Sequence, residues 1–294
     1  MEGQFDDGRR IERTLDVAVA FAEAPGAPPR LAEAIRYAVF PGGHRIRPRL
    51  CLAVARACGD DDPAASDAAA AAIELLHCAS LVHDDLPCFD DAAERRRKPS
   101  VHVAYGVPVA LLTGDALIVL AFETLARGAA RSPARLAALV GLVARAVGSP
   151  AGIVAGQAWE SEPQVGLSVY QQAKTGALFA AATVTGAAAA GSEPMGWRLL
   201  GEYLGEAYQV ADDLRDVACR QEEVGKPVGR DVTLGRPNAA ALLGMDGALR
   251  RLSDLAHEAM EVIPDCPGIE ALRAEILAQT RLFLPARLAQ SLVA

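Results

Sequence analysis

The sequence is poor in aromatic residues and has no excess of basic ones. Phe, Trp and Tyr make up 5% of the 294 residues, whereas hydrophobic residues make up 51%, so the core must consist mainly of small aliphatic side chains. The formal net charge is -8, which argues against a nucleic-acid partner because phosphate backbones need a broad basic surface. The basic residues occur in small groups, and these suit small anions.

The chain also lacks the signals of disulfide pairing, secretion and membrane insertion. Its six cysteines include no CxxC pair, so buried free thiols in a reducing compartment are favoured. The N-terminal segment MEGQFDDGRRIERTLD is charged, unlike a signal peptide. The longest uncharged stretch, residues 175–192, is mostly Ala, Thr and Gly and only weakly apolar. We therefore expect a cytoplasmic protein without a membrane span.

What the sequence does contain is alanine, the best helix former, in long runs broken by short Pro and Gly segments. The segments between these breaks have ordinary helix lengths, and no stretch alternates with the period of a strand. No Gly/Ser-rich linker or internal repeat divides the chain. The sequence predicts an all-α protein with a single domain over residues 1–294.

Two predicted helices carry clustered aspartates. The first, over about residues 63–83, delivers Asp84 and Asp85 at its C-terminal end. The second, over about residues 196–219, contains the motif ADDLRD. Within that motif Asp212 and Asp216 are four residues apart, so they point the same way from the helix and can share a cation.

The first cluster also includes Asp90, six residues after Asp84, with Pro87 between them. Because proline disturbs a helix, the break can bring these carboxylates together. Carboxylates repel one another and the helix dipole at a C-terminus, so folding gives no reason for them. A single acidic cluster is more often a solvated face, but here two clusters interrupt apolar helices. Carboxylate oxygens favour Mg²⁺, whose shell is commonly completed by substrate phosphates.

Basic residues accompany both acidic clusters and complete a pattern that can bind a diphosphate. Such a site makes the diphosphate a leaving group by stabilising the charge that develops as its bond to carbon breaks. The basic residues in question are Arg45, Arg47, Arg95, Arg96, Lys174 and Lys226.

These motifs, in this order, resemble those of the trans-isoprenyl diphosphate synthases, which condense isopentenyl diphosphate (IPP) with an allylic diphosphate. The matching segments are GGHRIRP at 42–48, HDDLPCFDD at 83–91 followed by RRRKPS, KTGALF at 174–179, YQVADDLRD at 208–216 and GKPVGRD at 225–231. The long first motif with a second one about 130 residues later makes the resemblance specific. It implies a homodimeric helical bundle around a deep central cavity.

The resemblance also implies roles for individual residues. Six aspartates are expected to bind the allylic diphosphate through Mg²⁺: Asp84, Asp85, Asp90, Asp212, Asp213 and Asp216. Arg95 is expected at the allylic diphosphate, and Arg96, Arg47 and His77 at the diphosphate of IPP. Around the allylic diphosphate and the departing pyrophosphate we expect Lys174, Thr175, Gln209 and Lys226. The residues expected to act in catalysis itself are Asp84, Asp85, Asp90, Arg95, Lys174, Asp212 and Asp213.

Three positions depart from the family pattern. The lysine of the family's GGKRxRP motif is His44, and Arg45 or Arg47 could compensate for the lost fixed charge. A later family lysine is Arg236, which keeps the charge but changes its geometry. The glycine that usually follows the arginine pair is Arg97. His44 and Arg236 are still expected to bind substrate.

Chain length is expected to depend on Ala79 and Ser80, which lie about one turn deeper than Asp84. In the family, an aromatic side chain at this level tends to stop growth at farnesyl diphosphate. Two small residues therefore favour geranylgeranyl diphosphate, unless the floor lies elsewhere, for example at Leu76. Farnesyl diphosphate synthase and a non-catalytic regulatory subunit remain alternatives.

Two other classes are less favoured. A class I terpene cyclase normally mixes Asn, Ser or Thr with Glu in its second metal motif and needs no IPP pocket. An acidic helical scaffold would show no specific Mg²⁺-dependent binding of diphosphates.

Overall fold

A computed structural model describes residues 7–163, 166–218 and 239–282. The helices in these ranges are α1 Asp7–Ala22, α2 Pro29–Val39, α3 Ile46–Ala57, α4 Pro63–Asp84, α5 Val101–Tyr105, α6 Val107–Gly128, α7 Pro133–Val147, α8 Ile153–Ala158, α9 Leu167–Gln171, α10 Ala177–Ala189, α11 Arg198–Ala218, α12 Ala239–Glu261 and α13 Ile269–Leu282. Short 3₁₀ turns cover Trp159–Ser161 and Met195–Trp197, and a π-helical turn covers Gln172–Gly176. The predicted all-α class is confirmed.

The described ranges contain one small antiparallel β-hairpin, which was not predicted from the sequence. Its strands are β1 Glu94–Arg95 and β2 Lys98–Pro99, with Arg95 opposite Lys98. The hairpin follows the first acidic motif directly and presents the arginine pair.

The chain divides into two compact units. The first contains the residues up to Ala144 together with Val184–Pro194, and the second contains Arg145–Thr183 and the residues from Met195 onward. Each unit has its own buried aliphatic side chains, for example Leu75 and Leu117 in the first and Leu178 and Leu214 in the second. The single domain over 1–294 stays a prediction.

Helix α4 is the centre of the first unit. It begins with Pro63, and the side chain of Asp62 accepts a hydrogen bond from Ala65 N at 3.4 Å, an arrangement that favours a helix start. Buried residues occur all around the helix, as expected of a helix that packs in a core. It contacts α1, α2, α3 and α6. Because α4 ends at Asp84, the acidic motif lies where this core meets the surface.

Helices α4 and α6 are both long and apolar enough to cross a membrane on length and composition alone. The apolar windows of the two helices are 78% and 44% buried within the structure. Core helices of water-soluble proteins meet the same criterion, so this observation is weak. The absence of a membrane span stays a prediction.

Helix α11 is central in the second unit, where it packs against α12 and the π-helical turn. Glycines allow this close approach. A Cβ at Gly201 would lie 2.4 Å from Ala180 Cα, and one at Gly205 would lie 3.0 Å from Gly176 Cα. The backbone of α11 therefore passes directly beside the segment that carries Lys174 and Thr175.

All five cysteines within the described ranges are free thiols, as predicted: Cys51, Cys58, Cys78, Cys88 and Cys266. Cys219 lies outside those ranges. Burial raises the pKa of the Cys78 thiol to about 11 and that of Cys51 to about 12, so both remain protonated at neutral pH.

Candidate functional site

The first acidic motif forms a compact turn at the end of α4. Asp90 N donates to Asp84 O at 3.0 Å, and Asp91 N donates to Leu86 O at 3.1 Å, so the chain folds back after Pro87. A carboxylate oxygen of Asp84 and one of Asp90 lie within 4.8 Å of each other. Both side chains are partly accessible. Two such oxygens, with room for water, fit the preferences of Mg²⁺.

Asp85 points elsewhere, into a nearly buried ion pair with Arg95. Arg95 Nε donates to Asp85 Oδ1 and Oδ2 at 3.0 and 3.1 Å, and Arg95 Nη2 also donates to Oδ1. Burial raises the pKa of Asp85, although Arg95 opposes the rise. Burial disfavours the charged form of Arg95, but the bonds to Asp85 outweigh it, so the pKa of Arg95 is raised. In the structure, the Asp85 carboxylate therefore fixes the guanidinium of Arg95 by hydrogen bonds. A metal-binding role for Asp85 stays a prediction.

The GGHRIRP segment uses its two glycines for close contacts with arginines. A Cβ at Gly42 would lie 2.0 Å from the guanidinium carbon of Arg45, and one at Gly43 would lie 3.1 Å from Arg96 Nη2. A larger residue at position 42 would displace the guanidinium of Arg45, whereas one at position 43 would crowd that of Arg96. The glycine pair therefore allows the segment to lie against the arginine of the hairpin.

Arg45 is a structural residue, and the idea that it could compensate for His44 is wrong. Its side chain is 3% exposed and donates to Glu74 at 2.6 Å, to Glu12 at 2.8 Å and to the carbonyl of Val39 at 2.8 Å. Burial opposes its charge, but Glu12 and Glu74 raise its pKa overall. A guanidinium enclosed in this way is not available to a substrate. His44 itself is exposed just before α3.

Arg47 and His77 are neighbours in the first unit. Arg47 lies at the start of α3 and is 8% exposed, and its Nη1 lies 3.4 Å from His77 Nε2. Burial, followed by the charges of Arg47, Arg96, Arg95 and Arg45, holds the pKa of His77 well below its usual range. His77 is therefore neutral at physiological pH, and its Nε2 accepts the hydrogen bond from Arg47.

The two predicted chain-length positions differ in the room around them. Ala79 is 2% exposed and packed in the core of α4, whereas Ser80 is half-buried and donates to the carbonyl of His77 at 2.8 Å. Leu76, the alternative floor, is 1% exposed. Of these positions, Ser80 is the one that could accept a larger side chain without displacing its neighbours.

Lys174 and Thr175 lie on the π-helical turn of the second unit, a type of distortion that is frequent at functional sites. A Cβ at Gly156 would lie 2.5 Å from Lys174 N, so α8 presses on this turn. Thr175 Oγ1 donates to Gln209 Oε1 at 3.1 Å, and Gln209 Nε2 donates to Asp213 Oδ1 at 3.0 Å. The turn and α11 are therefore joined by a chain of side-chain hydrogen bonds.

The second acidic motif has one aspartate that is buried and one that is partly accessible. Asp213 is 1% exposed, and its Oδ2 also accepts a bond from Ala239 N at 2.7 Å. Asp212 is more accessible and pairs with Arg215 Nη2 at 3.0 Å. Asp212 is thus the better placed of the two to meet a cation. The side chain of Asp216 lies outside the description, as do Lys226 and Arg236.

Sequence reasoning missed Glu160, which organises the surroundings of Lys174. Its carboxylate accepts hydrogen bonds from Lys174 Nζ at 2.5 Å, Tyr170 OH at 2.5 Å and Gln157 Nε2 at 2.9 Å. In sequence Glu160 lies beside a tryptophan and two residues before Glu162, in a segment that matches none of the quoted motifs, so its spacing does not single it out. Its role becomes visible only when the fold brings α8 to the π-helical turn.

Comparison with known families decides the identity of this arrangement. The family described as polyprenyl synthetase matches residues 28–264. The chain belongs to the polyprenyl synthetase family. This confirms the predicted resemblance to the trans-isoprenyl diphosphate synthases.

Three relatives of this polyprenyl synthetase cover nearly its whole length. It is 56% identical to a geranylgeranyl diphosphate synthase of Cereibacter sphaeroides, over 96% of this chain and 98% of that protein. It is 51% identical to a geranylgeranyl diphosphate synthase of Rhodobacter capsulatus, over 92% and 93% respectively. Its fold matches a crystal structure of a Helicobacter pylori geranyltransferase complexed with magnesium and isoprenyl diphosphate, with a TM-score of 0.77, 28% identity and coverage of 95% and 99%.

In this polyprenyl synthetase the departure at Arg97 falls on a backbone position that favours glycine. Arg96 and Arg97, the two residues of the hairpin turn, have φ values of 55° and 62°. Two successive positive φ angles are typical of the tight turn that connects twisted strands, and they strain any residue other than Gly, Asn or Asp.

We expect Arg97→Gly to be more stable than Arg97→Ala by about 1 kcal/mol, because both remove the side chain but only glycine relieves the positive φ. For a chain of this size the difference corresponds to about 2–4 °C in the midpoint of thermal unfolding. Circular dichroism of the two variants measures it. An alanine variant as stable as the glycine variant would show that the turn is unstrained.

Proposed function

We propose that this polyprenyl synthetase is a Mg²⁺-dependent prenyltransferase that condenses IPP with allylic diphosphates and releases geranylgeranyl diphosphate. The observation that carries the proposal is the end of α4, where Asp84 and Asp90 come together while Asp85 holds Arg95 beside them. This arrangement provides metal ligands and a fixed cation at one place. The names of the two bacterial relatives support the twenty-carbon product.

Asp84 and Asp90 are proposed to hold Mg²⁺ at the allylic diphosphate, and family membership extends this role to Asp212 of the second motif. When bound, Mg²⁺ neutralises the diphosphate and makes it a better leaving group. Arg95 supports the same charge, since Asp85 fixes its guanidinium through Nε and Nη2 and leaves Nη1 outside the pair.

The IPP side is proposed to consist of Arg47, Arg96 and neutral His77. Arg47 and Arg96 both lie close enough to His77 to lower its pKa, and neutral His77 can orient Arg47 through Nε2. A diphosphate anion suits such a cluster. The IPP double bond then attacks the allylic carbon as its diphosphate leaves, and the departing pyrophosphate takes the proton.

Lys174, Thr175 and Gln209 are proposed to serve the allylic end of the reaction. Glu160 fixes the ammonium of Lys174, and Gln209 fixes the hydroxyl of Thr175. Fixed polar groups can stabilise the developing allylic cation and the leaving diphosphate without reorganising during the reaction.

The direct test is to incubate the purified chain with IPP and, separately, dimethylallyl, geranyl or farnesyl diphosphate, with Mg²⁺ or with a chelator. Products are dephosphorylated and identified by mass. We expect a Mg²⁺-dependent twenty-carbon product from each starter. A chain that elongates no starter alone, but does so with a partner subunit, would instead be a regulatory subunit.

We expect Ser80→Phe to shift the main product from twenty to fifteen carbons, because the half-buried position can direct a ring towards the growing chain. Product mass with dimethylallyl and geranyl starters measures the shift. Ser80→Ala is the control, since it removes the bond to the His77 carbonyl without adding bulk and should keep the twenty-carbon product. An unchanged product from a folded Ser80→Phe variant would place the floor elsewhere.

A homodimer in the cytoplasm is part of the proposal. Helix α6 exposes the apolar side chains Val107, Leu111, Leu112 and Val119 by 45–66%. Exposed Asp115 lies between Leu111 and Val119 on this side of the helix, but several large apolar side chains exposed together on a water-soluble enzyme are typically covered by a partner, and a second copy of the chain forms a symmetric interface.

We expect Val119→Lys to convert the dimer to monomer, because it places a charge in an apolar interface. Light scattering after size-exclusion chromatography measures the mass. Val154→Lys is the control, since Val154 is similarly exposed but lies on a different helix, α8, and should leave the dimer intact. A Val119→Lys variant that remains dimeric would show that α6 is not the interface.

A further inference from the structure

We propose that Lys98 is a positioning residue for IPP: it fastens the arginine hairpin to the end of α2 and so fixes Arg96 relative to the GGHRIRP segment. The inference rests on the proposed function. Lys98 was not assigned a role from the sequence. Its partners are backbone carbonyls and an aromatic ring.

The end of α2 has a carbonyl that lacks its usual hydrogen-bond donor from the backbone. The carbonyl of Tyr37 would normally accept a hydrogen bond from the amide four residues later, but that residue is Pro41, which has no N–H. Lys98 Nζ donates to this carbonyl and to that of Phe40, the latter at 2.9 Å. A positive charge at a helix C-terminus also interacts favourably with the helix dipole.

The same two segments are joined a second time in the opposite direction. Tyr37 OH donates to the carbonyl of Pro99 at 2.8 Å, and the ammonium of Lys98 lies 3.8 Å from the centre of the Tyr37 ring. Burial and the charge of Arg96 lower the pKa of Lys98, so holding an ammonium here has a cost. The carbonyl bonds and the ring offset that cost.

This contact fixes the residues that are proposed to bind the IPP diphosphate. Arg96 occupies the strained turn of the hairpin, two residues before Lys98, and its guanidinium rests on Gly43 of the GGHRIRP segment. Arg47 lies at the other end of that segment beside His77. If the hairpin moved away from α2, Arg96 would separate from Gly43, whereas Arg95 on the same hairpin would still be bound by Asp85 and the Asp84–Asp90 turn would keep its own backbone bonds. Loss of Lys98 should therefore affect IPP more than the allylic substrate.

The test compares Lys98→Met, which keeps the chain length but removes the charge and donors, with Lys98→Arg, which keeps the charge. We expect Lys98→Met to raise KM for IPP about tenfold, since charged hydrogen bonds of this kind commonly contribute that much. KM for farnesyl diphosphate should change by less than about twofold. Lys98→Arg should fall between wild type and Lys98→Met.

Arg30→Met is the matched control. Arg30 Nη2 donates to the carbonyl of Tyr105 at 2.9 Å, so it too joins α2 to a later segment, but from the start of α2. This variant should leave both KM values unchanged. Equal rises in both KM values, or an unchanged KM for IPP in either folded Lys98 variant, would overturn the inference.

Binding of IPP without turnover, measured by calorimetry, separates this inference from the proposed function. If wild type elongates a starter and the Lys98 variants bind IPP normally, the inference fails and the function stands. If wild type neither binds IPP nor elongates any starter, the proposed function fails and the role of Lys98 falls with it. Thermal unfolding of each variant establishes that it is folded at the assay temperature.

Discussion

The ion pair between Asp85 and Arg95 determines how opposite charges are arranged at the end of α4. Without it, three carboxylates at a helix C-terminus would only repel one another and the helix dipole. Asp85 binds Arg95, whose Nη2 also lies 3.8 Å from Asp84 Oδ2, so the arginine hairpin is held beside the turn that brings Asp84 and Asp90 together. A cation-binding turn and an anion-binding arginine thus arise from one contact, at the edge of an apolar helix.

Close backbone approaches provide the second constraint, and glycines make them possible. Gly42 and Gly43 admit the guanidinium groups of Arg45 and Arg96, while Gly156 admits the backbone at Lys174. Long charged side chains normally move among many rotamers, so a rigid surrounding lowers the cost of presenting them in one orientation. The composition, rich in alanine and poor in aromatic residues, also favours close approach, since small side chains let helices pack closely.

The sequence predicted the helices and the chemistry of the motifs better than their partners. The helices α4 and α11 followed from helix-forming segments between Pro and Gly breaks, because such signals are local. Arg45 was assigned to substrate, yet it is enclosed by Glu12 and Glu74, and the pairing of Asp85 with Arg95 was not foreseen. No role was predicted for Glu160 from the sequence. Such pairings depend on residues distant in sequence, which composition and periodicity do not specify.

The most direct test of the separate roles of Asp84 and Asp85 is to measure, by calorimetry, the binding of inorganic pyrophosphate to wild type, Asp84→Asn and Asp85→Asn, with and without Mg²⁺. Asp91→Asn serves as control, since Asp91 is a neighbouring aspartate whose side chain is 71% exposed. We expect Asp84→Asn to lose the Mg²⁺-dependent part of pyrophosphate binding, whereas Asp85→Asn binds more weakly but keeps its Mg²⁺ dependence. Loss of Mg²⁺ dependence in Asp85→Asn as complete as in Asp84→Asn would contradict separate roles for the two aspartates.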